Sequence, residues 1–570
     1  MAVRRFLVTA ALPYSNGRLH VGHIAGAYLP ADIYVRYLRQ RGDDVRFICG
    51  SDDNGVAIAI TAAKENSTPQ EVCTRYNARQ KADFDGLGIR FDIYGGTHQS
   101  DCVDLHNRIS QGFFLEIHRK GYFTKKTTRQ LYDAQAGKFL PDRYVQGTCP
   151  YPDCRHPGAY GDQCENCGRS MDPLALINPK STITGTTPEV RETTHWYLRL
   201  GEFEERLKTW LESKRSPAGD EPPWREATLN FALGQIKGSL PERAMTRDLD
   251  WGVPVPLPDD PDARGKVLYV WFDAPIGYVS FTAKHCELTE GDWRAYERWW
   301  KDPACKIIHF IGEDNTIFHA LTWPAMLMAE GSFQLPSTVV VNAFLNERGP
   351  DGQMLKLSKS RMGEDSPLWI EEFLKHYDPD PLRYYLTAIA PENQRGAFEM
   401  GEFLSKNNDE LLAVLGNLFN RTLTFAFRYF DAKVPPAGDL GEPEKAQLTR
   451  IRETAARVTA ELEGFHFKAA LGEVMALARA GNVYFDGRQP WSQRKTDMAA
   501  CGTTIHVCLQ TLRALVTLMA PFLPRCAEKA RATMNLPPEA LSWDQATAEL
   551  PAGHPIREPQ ILVKKLELAE

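Results

Sequence analysis

The chain reads as an α/β protein whose doubly wound parallel sheet is split by a cysteine-bearing insertion and followed by an α-helical bundle. Three observations predict this. Strand-like runs at residues 6–12 and 45–49 alternate with helix-like runs, a β-α-β-α order. Cys149, Cys154, Cys164 and Cys167 cluster in a stretch of short strands and turns. From about residue 401 onward, apolar residues recur at helical spacing.

At 570 residues the chain is too long for one core, and roughly three or four domains are expected. Lys+Arg number 67 against 73 Asp+Glu, so any nucleic-acid contact must use a local basic face. No segment reads as a membrane span: the most apolar run, 509–523, is broken by Arg513 and Pro521. Arg4 and Arg5 before residues 6–12 only faintly imitate a secretory signal, and no small-residue cleavage site precedes the next turn. A cytoplasmic protein is expected. Eight of the 12 cysteines are scattered, mostly within apolar segments, where reduced buried thiols are the default.

The first strand ends at Pro13, a turn carries Asn16-Gly17, and a helix opens at His20-Val-Gly22-His23. Such a junction offers free N–H groups and the positive end of a helix dipole to phosphate. Gly22 permits close approach of a ligand, and two histidines one turn apart add donors on the same face. The helix continues to about residue 40, where Gly42 stops it. After the second strand come Asp52 and Asp53, acids at the C-terminal end of a strand, where open parallel sheets place ligand-contacting groups.

The spacing Cys149-x4-Cys154-x9-Cys164-x2-Cys167 matches one tetrahedral zinc knuckle, with His156 as an alternative to one sulfur. A closed four-ligand site holds a small lobe together and leaves no open position for catalysis. Sheet character is expected to resume at Val267-Leu-Tyr-Val-Trp-Phe-Asp-Ala-Pro-Ile-Gly-Tyr278, and a further strand at 306–311 to lead into Gly312 and Asp314. Between Gly349 and Gly363 lie Lys356, Ser358, Lys359 and Ser360, a mobile donating loop suited to polyphosphate. In the bundle, Asn417 and Arg421 lie one turn apart on a polar helix face, and Trp491 is read in a basic loop. The last thirty or so residues look like a tail folding back, strand-like at 561–563.

H-x-G-H after a first strand, a zinc-bearing insertion, K-x-S-K-S near the end of the split fold, and a helical bundle resemble the class I aminoacyl-tRNA synthetases and, within them, the methionyl-tRNA synthetases. The resemblance covers essentially the whole chain. It runs through Ala11-Leu-Pro-Tyr-Ser-Asn-Gly, Tyr269-Val-Trp-Phe-Asp-Ala-Pro-Ile-Gly-Tyr278, Phe310-Ile-Gly-Glu-Asp314, Phe318-His319, Lys356-Leu-Ser-Lys-Ser360 and Asn417-Leu-Phe-Asn-Arg421.

The resemblance implies a Rossmann-like catalytic fold that turns L-methionine and Mg2+-ATP into methionyl-adenylate and pyrophosphate. The 3′-terminal adenosine of tRNA(Met), initiator included, then takes the acyl group. It implies His20, His23, Lys356 and Lys359 as catalytic residues, with Gly22, Gly312, Asp314 and Ser358 as further ATP contacts. Leu12, Tyr14, Trp271, Ala274, Pro275, Tyr278, Phe318 and His319 match the methionine pocket, where Asp52 would hold the ammonium group. Asn417, Arg421 and Trp491 match positions that read the CAU anticodon, and one structural Zn2+ is expected on the four cysteines.

On this reading residues 1–119 and 246–325 are the two halves of the catalytic domain and 120–245 the connective insertion with its zinc knuckle. Residues 326–400 are a stem-contact region with the K-x-S-K-S loop, 401–540 the anticodon-binding bundle and 541–570 a tail. Leu357 replaces the methionine usual in the second signature and is expected to face away from the phosphates. Some relatives carry a further dimerising domain that grips tRNA, and nothing follows residue 570 here, so either a monomer or a chain cut short of that domain is expected. The alternatives are a synthetase for leucine, isoleucine or valine, against which the short insertion speaks, and a tRNA- or metal-binding paralogue without catalysis, against which the intact His20, His23, Lys356 and Lys359 speak.

Overall fold

A computed structural model describes residues 3–161, 164, 166, 167, 169, 171–219, 221–349, 352–357 and 362–568. The buried run after Arg4 forms strand β1 (Arg5–Ala10). The helix beyond the turn, α1, is α-helical over Val21–His23, π-helical over Ile24–Tyr28 and α-helical again over Leu29–Gln40. Pro30 has no N–H and its ring would strike the carbonyl four residues back, which accounts for the wider π turn ahead of it. Strand β2 (Asp44–Ser51), helix α2 (Pro69–Gly86), strand β3 (Ile93–Gly96) and helix α3 (Val103–Arg119) complete the first half. A Thr68–Glu71 capping box starts α2.

The insertion is built on an antiparallel ribbon of β4 (Phe123–Asp133) and β5 (Glu189–Leu198), with the cysteine-bearing lobe between them and helix α4 (Glu226–Lys237) after it. Helix α5 (Val270–Glu290) then leads to β6 (Cys305–Gly312). Helix α6, π-helical over Phe318–Thr322 and α-helical over Trp323–Glu330, again places a proline, Pro324, just after a π turn. It is followed by β7 (Thr338–Asn342). The five strands form one parallel sheet in the order β7-β6-β1-β2-β3. Strand order reverses beside β1, and the crevice outside the carboxyl ends of β1 and β6 is where such sheets bind ligands.

The bundle comprises α7 (Met400–Ser405, a π segment Lys406–Gly416, then Asn417–Tyr429), α8 (Glu442–Glu463), α9 (Phe467–Arg488), the short α10 (Pro490–Thr496) and α11 (Met498–Met519). It does not stand apart. Phe465, between α8 and α9, lies 4.8 Å from the Tyr34 ring and 6.0 Å from Phe310 of β6, so bundle and sheet share one apolar core.

Four expectations are corrected. Residues 269–278 are not a strand: β structure stops at Leu268 and α5 begins at Val270. A helix buried on nearly every side loses its 3.6 period and mimics a strand, although Pro275 would have denied a central strand one ladder bond. The boundary at 325 falls inside the sheet, since β7 pairs with β6 beyond it. Trp491 sits in helix α10 rather than a loop. Residues 561–563 form no strand; the tail is held instead by side chains, Asn408 Nδ2 donating to the Leu566 carbonyl at 2.8 Å and Asn407 Nδ2 to the Lys564 carbonyl at 3.0 Å.

Candidate active site, metal centre and RNA-reading surface

A cavity of about 340 Å3 opens at the switch point. It is lined by Leu12, Tyr14, His20, Gly22, His23, Asp52, Trp271, Ala274, Pro275, Tyr278, Gly312, Asp314, Phe318, His319 and Lys356, all named from the sequence. Ser358 and Lys359 lie outside the described residues.

One end holds two imidazoles, Lys356 and the first turn of α1. His20 N donates to His23 Nδ1 at 3.1 Å, and the two rings stack 3.7 Å apart, which fixes both imidazoles over the first turn of α1. A Cβ on Gly22 would lie 3.0 Å from His20 Nδ1 and 3.1 Å from Leu357 Cδ1, so glycine keeps this wall open. Leu357 therefore does not face away: it is buried, lines the cavity and props the turn. Lys356 Nζ lies 5.1 Å from the Phe344 ring centroid, exposed beside the cavity. Burial raises the Asp314 carboxyl above its ordinary range, and the Lys356 charge pulls it back.

The other end is aromatic. Trp271 Nε1 donates to Tyr14 Oη at 2.8 Å, and the Trp271 and Phe318 rings meet edge-on at 3.6 Å. Tyr278 Oη lies 2.9 Å from His319 Nε2, while His319 Nδ1 lies 3.2 Å from the Asn315 carbonyl. That carbonyl needs an Nδ1–H donor, so the ring is the neutral Nδ1–H tautomer and Tyr278 donates to it. Burial holds the imidazole down to about 4.

Three carboxylates sit behind this wall. Asp53 accepts from the Ser51 hydroxyl, from His98 N at 3.0 Å and from Gln99 Nε2 at 2.9 Å. Asp273 accepts from Asn54 Nδ2 at 2.7 Å and lies 3.3 Å from His106 Nε2. Asp52 alone of the three lines the cavity, and among the described residues its carboxylate accepts only from Asn54 N, at 3.4 Å. Burial first, then the Asp273 and Asp53 charges, push its carboxyl well above the ordinary carboxylate range. A buried carboxylate with so few donors has acceptor capacity to offer a cation in the cavity.

Residues that reasoning from sequence missed include Tyr28, whose hydroxyl donates to the Ala11 carbonyl at 2.9 Å, and Asn315 and Phe344 on the rim. Tyr28 sits on the apolar stripe of α1 and carried no signal apart from core. The Asn54–Asp273–His106 support spans 219 residues of chain, beyond the reach of local pattern.

In the bundle, Asn417 is exposed at the start of the last α segment of α7, and Arg421 pairs with Asp486 and lies 3.9 Å from the Phe485 ring centroid. Trp491 is 42% exposed, its ring 6.1 Å from Phe485. A guanidinium plane, an indole and an amide thus share one surface, with Phe485 and Asp486 as supports that the sequence had not singled out.

In the insertion, the four cysteine sulfurs lie within 4.8 Å of one another, with Cys149–Cys167 at 4.0 Å and Cys154–Cys164 at 3.7 Å. Thiolates about 2.3 Å from one tetrahedral centre would be about 3.8 Å apart, so the set fits a single metal ion. His156 is not in the set; its carbonyl accepts from Cys149 N at 2.8 Å. Donation from the Arg169 backbone and then its side chain draws the Cys167 thiol down to about 6, favouring the ligating thiolate. The lobe has only a handful of buried apolar residues, too few to hold it without a crosslink.

Among the described residues no helix is long and apolar enough to cross a membrane. Residues 6–423 match the family model described as tRNA synthetases class I (M), and residues 434–570 match the anticodon binding domain of methionyl tRNA ligase. The chain is 44% identical over 568 residues to the methionine–tRNA ligase of Bacteroides fragilis, covering 99% of this chain and 79% of that one. It is 45% identical over 573 residues to the methionine–tRNA ligase of Pyrococcus furiosus, covering 98% of this chain and 75% of that one. The fold also matches the crystal structure of Mycobacterium tuberculosis methionyl-tRNA synthetase bound by methionyl-adenylate, with a TM-score of 0.77 at 24% identity, covering 98% of this chain and all of that one.

Proposed function

The chain belongs to the methionyl family of class I tRNA synthetases, and from that premise we infer that it joins L-methionine to tRNA(Met) at the expense of ATP, for initiation and elongation alike. In the first step a methionine carboxylate oxygen attacks the α-phosphorus of ATP, and the bond to pyrophosphate breaks. In the second, a ribose hydroxyl of the terminal adenosine attacks the acyl carbon and AMP leaves. Neither step needs a nucleophile from the protein, so catalysis is positioning and charge stabilisation.

The observation that carries the residue roles is the two-ended cavity. Asp52 would hold the substrate ammonium, while Trp271, Tyr14, Phe318, Tyr278 and the flanking Leu12, Ala274, Pro275 and His319 enclose the thioether, which suits aromatic neighbours. His20, His23 and the N–H groups at Gly22 face the triphosphate, with Lys356 and, by its place in the signature, Lys359 neutralising the pyrophosphate as it leaves. Gly312, Asp314 and Ser358 complete the ATP contacts, and Mg2+ accompanies the nucleotide. Asn417, Arg421 and Trp491 would read the anticodon. Cys149, Cys154, Cys164 and Cys167 would hold one Zn2+, which supplies a structural crosslink. The working unit is taken to be a cytoplasmic monomer.

Methionine-dependent exchange of pyrophosphate into ATP tests the reading. Exchange is expected with methionine and not with leucine, isoleucine or valine; exchange driven equally by leucine, or none by any amino acid, overturns it.

A further inference from the structure

Arg225, immediately before α4, has oxygens from three distant parts of the chain around it. Nη1 donates to the Val341 carbonyl, to Asn342 Oδ1 at 2.7 Å and to the Glu392 carbonyl at 2.8 Å, while Nη2 donates to the Phe465 carbonyl at 3.1 Å. All four acceptors are neutral. Burial accordingly lowers this guanidinium from its ordinary range, with the Glu392 charge as partial compensation. A desolvated cation answered by carbonyls is a poor source of stability, and its fork geometry is better suited to fixing several segments in register.

The acceptors come from the end of β7, from Glu392 and from the turn before α9. Phe465 closes the turn between α8 and α9 with φ of 60°, and its ring is wedged against Tyr34 and Phe310. Glu392 reaches the same place by its side chain, Oε1 accepting from Lys468 N at 2.9 Å in the first turn of α9. Val341 and Asn342 end β7, where Asn342 stands opposite Gly312 of the cavity. Asn342 Nδ2 in turn donates to the Gly26 carbonyl at 2.9 Å, and Gly26 lines the cavity within the π turn of α1. In an α-helix that carbonyl would be taken by the N–H four residues on; there stands Pro30, which has none. The other end of α9, 22 residues and about 33 Å away, carries Phe485 beneath Arg421 and beside Trp491.

We propose that Arg225 is a positioning residue that couples the RNA-reading surface to the ATP cavity. A shift of α9 when the anticodon arm is engaged reaches Arg225 at the Phe465 carbonyl and the Glu392 backbone. It passes through Asn342 to the Gly26 carbonyl, beside the turn that carries His20 and His23. The inference rests on the tRNA ligase reading above. It adds a residue of the insertion as the joint between the two ends.

The test is Arg225→Lys, which keeps the buried charge but replaces the fork by a point donor. Four quantities are measured: melting temperature, pyrophosphate exchange without tRNA, charging of full-length tRNA, and charging of an acceptor-stem minihelix that lacks the anticodon arm. The coupling reading expects kcat for full-length tRNA to fall by about 5- to 150-fold, the range of ordinary coupling energies, with KM for that tRNA, minihelix charging and exchange nearly unchanged. Combining the variant with Trp491→Ala then gives no further loss of kcat beyond the slower single variant. If exchange, minihelix charging and melting temperature all drop together, Arg225 is a scaffold residue; if nothing changes, or the two substitutions multiply, no coupling runs through it. Should the lysine variant fold poorly, Asn342→Ser cuts the next bond in the chain and is expected to show the same split between full-length tRNA and minihelix. A parent protein that exchanges pyrophosphate with no amino acid, or charges no tRNA, refutes the ligase reading itself and is thereby distinguished from failure of the relay.

Discussion

Replacing Asp52 by Asn removes a charge without changing shape, and the structure makes the outcome specific. Asp53 accepts from three neighbouring donors, and Asp273 accepts from Asn54 through one oxygen while the other is buried without a partner among the described residues; the Asp52 carboxylate has one long bond among the described residues, from Asn54 N, and alone of the three faces the cavity. Truncating one partner of a buried charge pair costs about 2 to 5 kcal/mol, so loss of the contact to the methionine ammonium should lower kcat/KM for methionine by about 3 kcal/mol, roughly 150-fold. ATP affinity should hardly move. The raised ionisation of Asp52 adds two signs. In the free enzyme kcat/KM for methionine should rise with pH through the raised pKa, and in the variant that limb should vanish. For stability, a carboxyl whose folded pKa lies above its unfolded one makes the folded state bind the extra proton, so the penalty is absent at acid pH and grows above the unfolded pKa. Asp52→Asn should therefore raise the melting temperature at neutral pH without ligand while crippling activation. Pyrophosphate exchange across a methionine titration, with a melting scan of both proteins at acid and neutral pH, reads all of this. A variant within about threefold of the parent in kcat/KM would show that the ammonium is held elsewhere, and equal losses for methionine and ATP would show that the pocket had merely collapsed.

Lys356→Ala should remove a charge from the leaving pyrophosphate and slow exchange by about two orders of magnitude, with methionine binding by equilibrium dialysis unaffected; an unchanged rate would assign that task elsewhere. Elemental analysis of freshly purified protein should find about one zinc per chain, and Cys164→Ser should lose metal and loosen the insertion without erasing the cavity, an assignment that ends if no metal is found. Trp491→Ala should reduce charging of tRNA by about ten- to a hundredfold through a lost base stack while adenylate formation persists, and parallel loss of both activities would make the tryptophan a packing residue instead.

Local pattern in the chain was enough for a good deal of this. The strand–turn–helix at His20 to His23, the cysteine spacing and the helical periodicity after residue 401 each depend on neighbours a few positions apart, so their physics is written in consecutive residues. Their ordered combination identified the family and, with it, the wall of the cavity. Tertiary structure decided what depends on partners far away in sequence. By local pattern Asp52, Asp53 and Asp273 are equivalent acids; which of them faces the cavity, and which accept from Ser51, His98 and Asn54 behind it, follows from distant segments converging in space. Residues 270–290 carried one local hint against a strand, Pro275, and otherwise no helical period, because burial on nearly all sides erases it. Arg421 acquires its plane over Phe485 from a helix 65 residues on, and Arg225 finds its acceptors 116 to 240 residues away. A hydrogen bond between such distant segments leaves no local pattern, since loop closure and core packing bring its partners together.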